Sequence, residues 1–122
     1  MSLLHEEVTK EIIGAAFEVY RILGYGFLEK LYQRAMQVGL GLRGMRAEIE
    51  NEIRVMYKGV EVCYCKADIY VNECVLVELK IAKDYNEKDE PQLLNELKAT
   101  GVKVGILVNF GRTRVEFKRL VF

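Results

Sequence analysis

Over residues 4–23 apolar side chains recur at Val8, Ile12, Ala15, Ala16, Val19 and Leu23, the spacing of one face of an amphipathic helix. Gly24 and Gly26 interrupt that rhythm, and Gly24 is placed to end the helix. A second helix is predicted over residues 28–42, with Leu28, Leu31, Tyr32, Ala35 and Met36 turned inward. Gly39, Gly41 and Gly44 should weaken its far end. Beyond residue 46 the period changes from helical to alternating. Residues 47–58 and 60–71 read as strands joined at Lys58-Gly59, and residues 74–81 as a third strand.

Residues 84–90 are polar and turn-like. Residues 91–100 then read as a helix, with Asp89 as N-cap, Pro91 in the first turn and Gly101 just past the end. Residues 102–110 and 113–120 follow as strands, with Gly111 between them. The order is helix, helix, three antiparallel strands, helix, strand, strand. The late helix is a crossover able to lay the fourth strand parallel to an earlier one. The prediction is an α/β fold, a mixed sheet flanked by helices.

The chain's 122 residues suit one domain with a real core. Formal net charge is zero, so no global basic field marks a nucleic-acid binder, although a local cluster would suffice. Arg112, Arg114, Lys118 and Arg119 offer such a cluster, or simply a solvated face of the last strand. Cys63, Cys65 and Cys74 lie in apolar strands without a CxxC pair, and the sole histidine, His5, is remote. They read as buried small residues in a reducing compartment rather than zinc ligands. The N-terminus lacks a basic region before an apolar run, and no window approaches the roughly 18 apolar residues of a membrane span. A cytoplasmic protein without membrane attachment is expected.

Chemistry concentrates in residues 66–80, KADIYVNECVLVELK. Alternation puts Glu78 and Lys80 on one face of their strand, and Asp68 lies on the strand before it. Two carboxylates and an ammonium on one sheet face suit a hard divalent cation and a phosphate. A buried ion pair of Lys80 with Glu78 or Asp68 accounts for the same residues, and the sequence leaves both readings open. The hairpin register separates them. A two-residue Asn72-Glu73 turn sets Asp68 against Val77, on the wrong face. A three-residue loop or a bulge sets it across from Glu78.

Gly26-Phe27-Leu28-Glu29-Lys30-Leu31-Tyr32 is a G-x-x-E-x-x-Y motif, preceded by IIGAAFEVYRILG. It is followed by Asp68, Glu78-Leu79-Lys80, Gln92-Leu93-Leu94-Asn95 and GVKVGILVNFG. In order and spacing these resemble the GxxExxY protein family, a branch of the PD-(D/E)xK nuclease superfamily, over nearly the whole chain. The resemblance implies a restriction-endonuclease-like core and a nuclease dependent on Mg²⁺ or Mn²⁺. It makes Glu29, Asp68, Glu78, Lys80 and Gln92 the catalytic residues, with Asp68, Glu78 and Glu29 as metal ligands beside the Leu79 carbonyl. Lys80 would position or deprotonate the attacking water. Tyr32, Lys83, Arg112 and Arg114 are candidate substrate contacts, with core packing the alternative for Tyr32. The implied partner is nucleic acid, with DNA favoured, gripped by a monomer or a homodimer. Three positions depart from the family pattern: Tyr25 within Gly-Pro-Gly, Asp89 for a histidine, and Glu96 for a tyrosine. An inactive module that binds nucleic acid or protein, and a structural domain whose acids merely solvate an edge, are the alternatives.

Overall fold

The computed structural model describes residues 3–122. Helices α1 (Glu6–Leu23) and α2 (Glu29–Leu42) come first, followed by strands β1 (Ala47–Tyr57), β2 (Val60–Val71) and β3 (Val75–Lys80). A short 3-10 turn, Glu87–Asp89, leads into α3 (Glu90–Thr100), and β4 (Val104–Phe110) and β5 (Val115–Val121) complete the order. The five strands lie in the sequence order β1-β2-β3-β4-β5. All neighbours are antiparallel except β3 and β4, which the α3 crossover makes parallel. The expected mixed sheet is what forms.

Two apolar clusters occupy the two faces of this sheet. Ile12, Ala16, Tyr32, Met36 and Leu40 of α1 and α2 pack on Ile69, Val77, Leu79, Ile106 and Val108. On the opposite face, Leu93 and Leu97 of α3 meet Leu76, Leu107 and Leu120. Adjacent strand residues therefore feed different layers, which explains why β4 is buried at every position. Gly105 fits there because a Cβ would stand 3.0 Å from the Leu93 side chain.

Several local expectations need correction. Leu28 and Leu31 are exposed, since the face of α2 that meets the core runs through Tyr32, Gln33, Met36 and Leu40. The helix continues through Gly39 and Gly41 to Leu42. Asp89 occupies the position before α3 but makes no side-chain cap, because the preceding turn runs straight into the helix. Asn86 caps that turn instead, accepting from the Lys88 N–H at 2.9 Å. Cys63 is exposed, and Cys65 and Cys74 are half-buried at the margins of the two clusters, so none of the three is fully buried. β1 from Asn51 onward and β2 up to Ala67 form a two-stranded ribbon beyond β3, whose pairs with β2 cover only Ile69–Val71. Among the described residues no helix is long and apolar enough to cross a membrane.

Candidate active site

The β2–β3 hairpin decides whether the acids can meet. Asn72 and Glu73 both take left-handed φ, 49° and 53°, and the Cys74 N–H closes the turn on the Val71 carbonyl at 3.0 Å. Pairing resumes not at Cys74 but at Val75, opposite Val71. Cys74 is thus one extra residue, and Ile69 faces Val77. One step further along this register, Asp68 comes across from Glu78. The odd register that a shared site requires is the one present. Asn72 also fixes the loop to the start of β1 through two bonds with Arg46, each 2.8 Å.

At Asp68 the regular ladder stops on both sides. Its position pairs with neither β3 nor β1, where the matching residue, Glu50, has φ 54°. The Asp68 carboxylate accepts the Leu79 N–H at 2.7 Å, replacing a ladder bond with a side-chain one. Its carbonyl accepts the Gln33 amide of α2 at 2.8 Å. The strand turns over here: Cys65 and Ala67 belong to the α3-side cluster, while Ile69 and Val71 pack under α1 and α2. The break is what lets one carboxylate look toward both α2 and β3.

A row of carboxylates results. Glu29 opens α2 and faces Asp68; Asp68 faces Glu78; Glu78 faces Glu96 of α3. Glu78 and Glu96 each keep only 4% of their surface exposed. Each has one oxygen, Oε1, without a hydrogen-bond partner. Burial, then the adjoining carboxylates of Glu96 and Asp68, push the Glu78 carboxyl far above the ordinary carboxylate range. Glu29 stands at the exposed rim, yet its carboxyl is partly enclosed. That desolvation, then Asp68, raise it to about 7 against the opposing pull of Lys80.

Lys80 is half-buried at the end of β3 and, among the described residues, makes no ion pair within 4.0 Å. A buried ion pair with Glu78 or Asp68 is therefore not what holds these residues. With Glu29, Tyr25 and Ile81, Lys80 lines an open cleft of about 370 Å³. Asn109 of β4 ties down the chain just after Lys80, bonding both the N–H and the carbonyl of Ala82 at 2.9 Å. Gln92 is exposed on α3 and gives its amide to Glu96 at 3.3 Å. A larger apolar cavity of about 530 Å³ lies between α1 and α2, but it contains none of these acids.

The other expected contacts divide. Tyr32 is fully buried, stacked on Phe110 with ring centroids 4.5 Å apart, and its hydroxyl donates to the Gly24 carbonyl. That makes it part of the core rather than a surface open to substrate. Lys83, Arg112 and Arg114 are exposed on two loops that meet at the Lys80 end of the sheet, where the Arg112 N–H donates to the Lys83 carbonyl at 3.1 Å. Arg114 pairs with Glu116 at 3.6 Å. Lys118 and Arg119 do not join them: Lys118 pairs with Glu90, and Arg119 reaches the Leu4 carbonyl. Sequence reasoning passed over Gln33 and Asn109 as positioning residues. Gln33 lies four after Glu29 on the same helix face, a signal the spacing did contain.

Among the described residues no three His, Cys, Asp or Glu side chains already stand together as a metal-holding group. The acids form a chain of neighbouring pairs. Their oxygen-only donors and the two orphaned oxygens nonetheless suit a hard cation such as Mg²⁺.

A family model described as the PD-(D/E)XK nuclease superfamily matches residues 6–120. A solved structure described as "Crystal structure of SSO0001" shares the fold, with a TM-score of 0.59 at 20% sequence identity. The match covers 96% of this chain and 59% of that one, so this chain spans somewhat over half of its length. No curated protein matches the chain.

Proposed function

The chain belongs to the PD-(D/E)XK nuclease superfamily, and from that premise we propose that it is a divalent-metal-dependent nuclease of the GxxExxY branch. The observation that carries the proposal is the odd register of the β2–β3 hairpin, which brings Asp68 opposite Glu78 and leaves Lys80 without an ion pair. Nothing in the packing of the sheet needs acids there, and buried carboxylates without a counter-charge cost stability.

Asp68, Glu78 and Glu29 would hold Mg²⁺ or Mn²⁺, with the Leu79 carbonyl as a further oxygen. When bound, the ion supplies Lewis-acid stabilisation of a phosphate oxygen and a more acidic water. The chain's own part is positional and electrostatic. Lys80 offers a compact positive charge beside Glu29, suited to orienting water and to the charge that builds on a phosphodiester in the transition state. Asn109 fixes the chain next to that lysine. Gln33 holds the Asp68 backbone from α2, which ties Glu29 and Asp68 into one geometry. Gln92 orients the Glu96 carboxylate, and Lys83, Arg112 and Arg114 offer positive charge to a phosphate backbone at the same end of the sheet. Such a local cluster serves although the net charge is zero. DNA is the substrate we favour.

The second reading is a module that keeps the fold without cutting. It draws on the lack of a preassembled metal group among the described residues and on Glu96 and Asp89 standing where the family pattern differs. Incubating the purified protein with single- and double-stranded DNA and with RNA, in millimolar Mg²⁺ or Mn²⁺, separates the two. Cleavage that Lys80→Ala lowers by roughly 10²–10³-fold or more, in the range of losing one transition-state charge, is the expected result. Failure to cut any nucleic acid with either metal would sink the nuclease reading.

A further inference from the structure

We propose that Glu96 is a further ligand of the cation, a carboxylate supplied by α3 that shares the ion with Glu78. The inference rests on the reading above, in which a divalent cation belongs beside Asp68 and Glu78.

Leu93 and Leu97 anchor α3 on the sheet, and Glu96 lies between them in sequence, on a buried part of the helix. There it meets Glu78 carboxyl to carboxyl. One Glu96 oxygen takes the neutral Gln92 amide, while the other has no partner, like one oxygen of Glu78. No Lys, Arg or His lies within 4.0 Å of either group among the described residues.

Other shielded acids in the fold are satisfied, which makes this pair distinct. Glu90 accepts the Tyr85 hydroxyl and pairs with Lys118, and Glu116 accepts the Tyr85 N–H and pairs with Arg114. Two adjacent buried carboxylates with orphaned oxygens require something positive between them, a proton or a metal ion. A neutral donor at this position, such as a hydroxyl, would satisfy Glu78 and leave it the only acid on that side. Glutamate supplies a charge and two oxygens instead. Each added carboxylate raises the affinity of an oxygen site for a divalent cation. Gln92 acquires a role through this arrangement, as the residue that orients a ligand.

Titration of the full chain with Mn²⁺ alone, followed by electron paramagnetic resonance of the free ion, tests the assignment without reference to activity. Glu96→Gln keeps the shape and removes the charge. Its expected effect is a loss of Mn²⁺ affinity of roughly tenfold or more, with thermal unfolding still cooperative in the absence of metal. Glu96→Tyr, which offers Glu78 a neutral hydroxyl donor, provides the same readout where the glutamine variant does not fold. Wild-type affinity in the folded variants overturns the role of Glu96 and leaves the cation at Asp68 and Glu78 standing. Absence of Mn²⁺ binding by the wild-type protein overturns both.

Discussion

Replacing Glu78 with glutamine should make the metal-free protein more resistant to alkaline conditions than the wild type. The native Glu78 carboxyl holds its proton far above the ordinary glutamate value of 4.5 because it is buried beside Glu96 and Asp68. An unfolded chain gives that proton up just above pH 4.5, so the native state binds more protons than the unfolded one as pH rises. The stability this group contributes is therefore fully present below pH 4.5 and falls as pH increases, the reverse of a salt-bridged carboxylate. The slope for one retained proton is about 1.4 kcal/mol per pH unit, so three units from about pH 5.5 to 8.5 cost up to about 4 kcal/mol. Glu29 adds a smaller contribution of the same sign that ends near its native value of about 7 and is screened at the exposed rim. Glu78→Gln has no such proton to lose. Urea unfolding in EDTA across that range should show the variant gaining on the wild type by about 1.4 kcal/mol per pH unit at most. Mg²⁺ should reverse the advantage, since only the wild type can exchange the proton for the ion. Parallel pH dependences in EDTA, or a wild type that grows more stable with pH, would refute the buried proton.

Two further outcomes follow from local geometry. Asn109→Ala removes both bonds to the half-buried Ala82 and leaves its N–H and carbonyl without those partners, at a cost of about 2 kcal/mol. It should also reduce cleavage beyond what the stability loss explains, because the chain after Lys80 is released; denaturant midpoints and activity on one preparation check both. Glu73→Gly removes a side chain from φ 53°, a conformation that costs a non-glycine residue about 1 kcal/mol, and forfeits only an exposed pair with Arg46. A higher melting temperature with unchanged metal affinity is expected. A lower one would mean that the loop is not held as described.

How far the chain could be read from its residues depended on the range of each signal. The helix ends at Gly24 and Gly101 and the Lys58-Gly59 turn were legible because each is written locally, in a glycine at positive φ next to a change of period. Leu28 and Leu31 misled because an apolar residue near a helix start resembles a core position, and only the docking of α2 shows which stripe faces inward. Asp68, Glu78 and Lys80 stood out as charges among aliphatics, but their meeting depended on one residue of register. Neither Asn72 nor Glu73 is a residue that demands left-handed φ, so composition alone could not supply it. Glu96 was visible only as a departure from a pattern. Its burial against Glu78 is a tertiary fact, created by Leu93 and Leu97 fixing the rotation of α3.

Register and chemistry are linked more tightly here than in an ordinary hairpin. Cys74 is the extra residue, and without it Val75, Val77 and Leu79 would exchange faces with Leu76, Glu78 and Lys80. The apolar residues of β3 would tolerate that exchange, because both faces of the strand are covered and aliphatics occupy both. The acids would not: Glu78 would enter the layer under α1 and α2, which is built from residues such as Ile12, Tyr32 and Met36. Hydrophobic burial alone thus specifies this register weakly, and the remaining specification must come from polar groups. The Arg46–Asn72 bonds hold the loop, the Asp68–Leu79 bond replaces the missing ladder contact, and Gln33 anchors the Asp68 carbonyl. These bonds fix the alignment on which the site depends. Polar residues around Asp68 therefore serve the fold and the chemistry through the same contacts.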